Sequence, residues 1–355
     1  MTHVTITLYL AISSVLIAAF VAHNPGPHVR LIMSAYMVAA LVAALVAAIA
    51  ALIGCFDIIP GLYDIFTEFG RARGTFKDPN VLGAFLVPAL LYAFNVVLTA
   101  RFARASLWSI AIPLLLFGTL LSVSRSAWLN LVISLLIYSG FIFLTAATNR
   151  ERIKLIISMV LAGVCAVGIL AAAQSIPEVA EIIGERATFE QSYDVGPEGR
   201  FGGQEKAANL VATHPFGIGA LEFGRVYHHE DVHQVYLNMY LNTGWIGGTL
   251  YLFLVLTTLV LGLKLVLGDR GGDGVIAVPV AASFGMALEG AVIDTDHWRY
   301  FYLIMAMVWG WPWHAAPGSA HDHSAKWSER GDLNSRPPVP QTGALTGLRH
   351  APTSR

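Results

Sequence analysis

Residues 107–144 read LWSIAIPLLLFGTLLSVSRSAWLNLVISLLIYSGFIFL, an apolar run with one polar interruption, Ser122-Val123-Ser124-Arg125-Ser126. One helix over the whole run would be about 57 Å long at about 1.5 Å per residue. That is nearly twice the roughly 30 Å of bilayer hydrocarbon. The run must therefore fold back at the polar interruption, which puts Arg125 at the tip of a helical hairpin. Working outward, the same character extends through the chain: of 355 residues, 55% are hydrophobic and 13% charged, against roughly 25% charged in soluble domains. The apolar runs are continuous rather than alternating, which selects helices over a β-barrel. The expected fold is all-α, a polytopic transmembrane helical bundle.

Nine crossings are expected, over residues 4–22, 31–53, 80–98, 107–123, 127–145, 155–173, 236–266, 275–293 and 300–313. Lys and Arg in short loops set orientation. Arg101, Arg104, Arg150, Arg152 and Lys154 lie in alternate loops on one side, with Arg30, Lys264 and Arg270, and that side is taken as cytoplasmic. The opposite side receives the 54–79 loop, the Arg125 tip, one large loop over residues 174–232 and the 294–299 turn. It also carries Arg71, Arg73, Lys77, Arg125, Arg186, Arg200, Lys206, Arg225 and Arg299, an excess that runs against the positive-inside tendency and calls for an anionic partner. Met1 then starts outside, as in a chain preceded by an odd number of crossings. The first apolar run has no positive region before it and is not a cleavable signal. Cys55 and Cys165 sit in apolar runs without metal-ligand spacing and are read as packing residues. The net charge of −1 identifies no partner; membrane lipids are expected around the chain and nucleic acid is not.

From about residue 316 the composition switches to a Pro/Ser/Arg/His-rich tail. Within it, residues 327–338 resemble the translation of an antisense transfer-RNA gene. The expected division is a membrane domain over 1–315 and a disordered, non-native tail over 316–355.

Two features on the outer side bear chemistry. Guanidinium forks match phosphate oxygens in bidentate pairs, and an arginine near hydrocarbon costs roughly 2.5–3.5 kcal/mol on insertion scales, which a lipid diphosphate would offset. Snorkelling, or pairing with loop acids such as Glu68, Glu198 or Glu222, is the plainer reading for each arginine other than Arg125. The turn-rich stretch from Gly70 to Asn80, holding Arg71, Arg73 and Lys77, leads into a helix whose N-terminus suits an anion. The second feature is His233, an imidazole usable as a base near neutral pH. About 20 residues outward from Lys264 reach only Gly244, so the helix is expected to break near Gly244, Gly247 and Gly248, leaving His233 in a watery vestibule.

Two readings of another class compete. His229-Glu230-Asp231-Val232-His233 has the H-E-x-x-H form of a zinc protease, but no third ligand stands at a workable spacing, and the stretch is polar all round like a loop. A secondary transporter would carry inverted repeats and midplane charges, whereas most charges here lie at helix ends.

Taken together, these residues resemble the O-antigen ligase and polymerase superfamily of bacterial envelope glycosyltransferases. Arg125-Ser126-Ala127-Trp128-Leu129 fits the family's Arg-x-x-x-Leu motif. His233-Gln234, nine residues, then Gly244-Trp245-Ile246-Gly247 fits His-[Asn/Ser/Gln], nine residues, Gly-x-x-[Gly/Thr/Tyr]. The stretch from Arg73 to Asn80 and His214-Pro215-Phe216-Gly217-Ile218-Gly219 are similar to family segments too. The resemblance runs from about residue 31 to residue 313. It implies about twelve helices in the complete protein, and hence about three before this chain. It also implies an inverting, metal-independent transfer from an undecaprenyl-diphosphate-linked glycan to lipid A-core or another glycan acceptor, with no cofactor, in the bacterial inner membrane with the site facing the periplasm. His233 would orient or deprotonate the acceptor hydroxyl. Arg125 would hold the diphosphate, helped by Arg71, Arg73, Lys77, Arg200 and Arg225, with Gln234, Asn80, Gly244 and Gly247 in support. Polymerase and protein oligosaccharyltransferase activities fit the same fold.

Overall fold

A computed structural model describes residues 2–56, 61–175, 180, 184, 196, 199–268 and 274–311. The tail expected from residue 316, together with Arg186, Glu198 and Arg270, lies outside the described residues.

The chain is a helical bundle. Helix α1 (Thr2–His23) is followed, after Asn24, by α2 (Pro25–Phe56), and α3 (Leu62–Phe66) leads into a short antiparallel pair, β1 (Thr67–Glu68) and β2 (Arg71–Ala72). Then come α4 (Pro79–Thr99), α5 (Phe102–Leu121), α6 (Arg125–Thr145) and α7 (Asn149–Gln174). The large loop contributes α8 (Arg200–Thr213) and one π-helical turn (Phe223–Tyr227). The last three helices are α9 (Val235–Gly268), α10 (Ala277–Glu289) and α11 (Arg299–Gly310).

Helix α4 is the spine. Asp78 caps it, its carboxylate accepting from the Asn80 N–H at 2.6 Å, and Pro79 occupies the first helical turn, where its missing N–H is no loss. Nearly its whole length is buried, against α2, α5, α6 and α10. Helix α7 lies at the other extreme, exposing Val160, Leu161, Val164 and Val167, a surface that suits hydrocarbon.

The fold-back falls where length demanded it: α5 ends at Leu121 and α6 begins at Arg125. Val123 turns through the left-handed region at φ 42°, the Ser124 hydroxyl accepts from the Ala127 N–H, and the Trp128 indole donates back to the Thr119 carbonyl at 3.1 Å. Gly83 of α4 lets this turn approach; a Cβ there would stand 2.6 Å from Ser122 Oγ and 2.7 Å from Ala127 Cβ.

Among the described residues seven helices, α1, α2, α4, α5, α6, α7 and α9, are long and apolar enough to cross a bilayer. The expected eighth and ninth crossings differ. Helices α10 and α11 have 13 and 12 residues, about 20 and 18 Å at about 1.5 Å each, short of a full span. The apolar run 275–293 looked continuous, but its helix ends at Glu289, with Gly290 as the cap. Side chains tie like ends of the bundle together. Lys154 at the start of α7 donates to the Leu98 carbonyl near the end of α4, and at the opposite end Arg71 reaches the turn between α5 and α6. That is the alternation of loops the charge pattern requires.

Candidate functional site

Two clusters of expected site residues gather at the end of the bundle that carries Arg125. The first is built around Arg71. The β1–β2 turn is Phe69-Gly70, at φ 50° and 74°, both left-handed as a two-residue primed turn needs, and it directs Arg71 inward. Buried there, the guanidinium donates from Nε to the Ser122 carbonyl at 3.0 Å and from Nη2 to Asn80 Oδ1 at 2.7 Å. One side chain thus joins the basic 70–80 stretch, the first turn of α4 and the turn that carries Arg125. Arg73 is half-buried, its donors on the Ile65 and Asp64 carbonyls, and Lys77 is exposed on the same loop. Arg125 is half-buried as the first residue of α6.

The second cluster surrounds His233, which precedes α9. Its Nε2 lies 3.3 Å from Glu230 Oε2 with the imidazole side chain 45% exposed, and its carbonyl accepts from Arg200 Nη2 and Gln204 Nε2, each at 3.4 Å. Arg200 is therefore at the histidine. Gln234 holds its Oε1 buried without a hydrogen-bond partner among the described residues. Arg225 stands apart in the π turn, exposed and bonded to Glu222 at 2.6 Å.

The expected break in α9 is present. Gly244 has φ 73° and ψ −172°, outside the helical region. The broken helix frees backbone groups that must find partners, and the 214–219 segment supplies them: the Ile218 N–H donates to the Leu241 carbonyl at 2.7 Å and the Trp245 N–H to the Pro215 carbonyl at 2.9 Å. The Trp245 indole adds a bond to the Val211 carbonyl at the end of α8. Gly217 and Gly244 face each other closely; a Cβ on Gly217 would be 2.6 Å from the Leu241 oxygen, and one on Gly244 would be 2.5 Å from the Pro215 oxygen. Gly247 and Gly248 leave room for Thr243 and Tyr240 of the preceding turn. Two family-like stretches thus form one interlock beneath His233.

A buried acid that sequence reasoning passed over bridges the two clusters. Glu289, the last residue of α10, is 2% exposed and accepts from Asn130 Nδ2 of α6 at 2.6 Å; Asn130 in turn accepts from Ser134. The next residue, Gly290, receives the Val235 N–H at 2.9 Å, and the Tyr236 hydroxyl donates to the Ala287 carbonyl. The end of α10 therefore holds the start of α6, with Arg125, against the start of α9, with His233. The signal for Glu289 was a lone carboxylate inside an apolar run, where an unpaired charge is costly.

Residues 228–234 are irregular rather than helical, so His229 and His233 do not share the helix face that a H-E-x-x-H zinc site needs. Among the described residues the set His229, Glu230 and His233 does not gather three ligand atoms; His3, Asp296 and His297 do.

The arrangement provides cations where an anion would be held and a basic imidazole open to solvent on a neighbouring helix start. Residues 110–252 match the protein-family model described as O-antigen ligase. That span holds Arg125, Arg200, Arg225, His233, Gly244 and Gly247, and leaves out the Arg71 strut and Glu289. No curated protein sequence matches the chain.

Proposed function

We propose, from the match of residues 110–252 to the O-antigen ligase family model, that the chain is an O-antigen ligase, joining an undecaprenyl-diphosphate-linked polysaccharide to lipid A-core. It is a multi-pass membrane protein with a glycosyltransferase-like domain; the site faces the periplasm of a bacterial inner membrane, and residues 1–315 make up the transferase unit. Arg125, with Arg200 nearest His233, binds the donor diphosphate, while Arg73 and Lys77 add positive potential and Arg71 braces the turn that carries Arg125. Cations aimed at charge that develops on the leaving group are usually the largest catalytic contribution.

In the transfer itself, the acceptor hydroxyl oxygen bonds the anomeric carbon from the face opposite the diphosphate. The carbon–oxygen bond to phosphate breaks with its electron pair, and the hydroxyl proton passes to His233. Inversion follows from that geometry, and no metal enters the step. Glu230, beside Nε2 of His233, steadies the ring and the imidazolium that forms.

The observation that supports this reading most is the pair of bonds Asn130–Glu289 and Val235–Gly290, which tie α6, begun by Arg125, to the start of α9 beside His233. The test is a lipopolysaccharide gel from cells lacking the full-length gene, rescued with wild type or His233→Ala. A ligase leaves rough lipid A-core and unattached lipid-linked polymer in the His233→Ala cells. Core carrying a single repeat unit identifies a polymerase instead, and an unchanged ladder moves the acceptor to a glycoprotein. A His233→Ala variant with full transfer ends the catalytic assignment.

A further inference from the structure

We propose that His3, Asp296 and His297 bind a divalent transition-metal ion that ties the start of α1 to the segment joining α10 and α11. One ligand atom from each residue lies within 4.8 Å of the others. His297 Nδ1 is 2.9 Å from Asp296 Oδ1, and His3 Nε2 is 3.9 Å from Asp296 Oδ2. Two imidazoles and a carboxylate are a zinc-type donor set, and tetrahedral bonds of about 2.0–2.2 Å place ligand atoms roughly 3.3–3.6 Å apart, so the shorter separation opens slightly and the longer one closes. The carboxylate of Asp296 is 10% exposed and the two imidazoles 23% and 26%, so the set is largely covered yet open to entry.

A neighbour orients one ligand. Thr7 Oγ1 donates its single proton to the His3 carbonyl at 3.1 Å and lies 3.1 Å from His297 Nε2. In the metal-bound state Nε2–H would donate to Thr7, leaving Nδ1 to bind the ion in place of its present contact with Asp296. A hydrogen bond from the far nitrogen that fixes a ligand's tautomer is the usual second shell of a metal-bound histidine.

The ion acts as a clamp. Asp294, two residues before Asp296, accepts from Asn238 in the first turns of α9, so the loop that binds the metal also braces the helix start beside His233. None of the three ligands lies within residues 110–252, and the site stands or falls independently of the transferase reading.

The test is zinc titration of the full chain in detergent micelles, purified on a histidine-free tag and stripped with chelator, with Co2+ as a spectroscopic stand-in. One Zn2+ per chain is expected, with a tetrahedral Co2+ absorption band. His297→Ala should weaken binding at least about 100-fold, and Thr7→Val, which keeps all three ligands, roughly 10-fold. His3→Gln, in the first turn of α1, serves where His297→Ala fails to fold by gel filtration. No zinc bound to wild type overturns the proposal, as does binding that survives His3→Gln and disappears in His229→Ala.

Discussion

Replacing Gly244 with alanine tests whether the interlock in α9 holds the site together. At φ 73° and ψ −172° the residue occupies a region that is essentially glycine-only, and any other side chain there is strained by about 1–3 kcal/mol. The new Cβ would also meet the Pro215 oxygen at 2.5 Å and the Phe216 carbonyl carbon at 2.7 Å. These are backbone atoms that cannot rotate aside, and overpacking of this kind costs typically about 1–3 kcal/mol more. Against this stand the bonds from the Ile218 and Gly219 N–H groups to the Leu241 carbonyl and from Trp245 to Pro215, each worth about 0.5–1.5 kcal/mol net. The opposing sums are comparable, so the 214–219 segment should leave its seat. A shift of about 3 kcal/mol would lower the docked population about 100-fold, at about 1.4 kcal/mol per factor of ten. Hydrogen exchange followed by mass spectrometry on the 214–222 and 241–248 peptides reads the opening directly, and transfer should fall with it. Gly217→Ala, at φ 77° and facing Leu241, should behave alike. Gly163→Ala, which meets nothing within 4 Å, should leave both readings at wild type. Protection and transfer retained in Gly244→Ala would refute the interlock.

Substitutions at three other positions separate binding from scaffold. Arg125→Lys keeps the charge and loses the fork; losing one charge-assisted bond of about 1.5–3 kcal/mol predicts transfer down roughly 10–150-fold with unchanged melting, and a fully active lysine variant removes Arg125 from the diphosphate site. Arg71→Lys cannot span both Ser122 and Asn80, so about 2 kcal/mol of stability should go, visible as a lower melting temperature in micelles; unaltered melting would mean the strut holds nothing. Glu289→Gln keeps an acceptor for Asn130 and should fold normally, whereas Glu289→Leu strands a buried amide at about 1–3 kcal/mol; equal melting of the two would show that the α6–α10 bond is not structural.

The parts of this architecture that follow from length were legible in the sequence. A membrane has one thickness, so the run 107–144 had to reverse at Ser122–Ser126, and the distance from Lys264 to His233 called for a strong tilt or a break, of which the glycines favoured the break. What pairs with what was not legible, because helix pairing leaves no period in the chain. Asn130 and Glu289 are 159 residues apart, and neither sits in a motif. For the same reason α10 read as a crossing: hydropathy counts apolar residues through Gly290 without registering that the backbone turns there. Arg71 shows the limit most sharply. Composition counted it with Arg73, Lys77 and Arg225 as one outward-facing basic group, yet a two-residue turn at Phe69-Gly70 sends it inward to hold Ser122 while Arg225 stays in solvent with Glu222. Two arginines alike in type and side of the membrane thus differ in what their removal should do. Loss of Arg71 should move the fold first and transfer through it, whereas any effect of losing Arg225 on transfer would have to come from a direct contact with substrate.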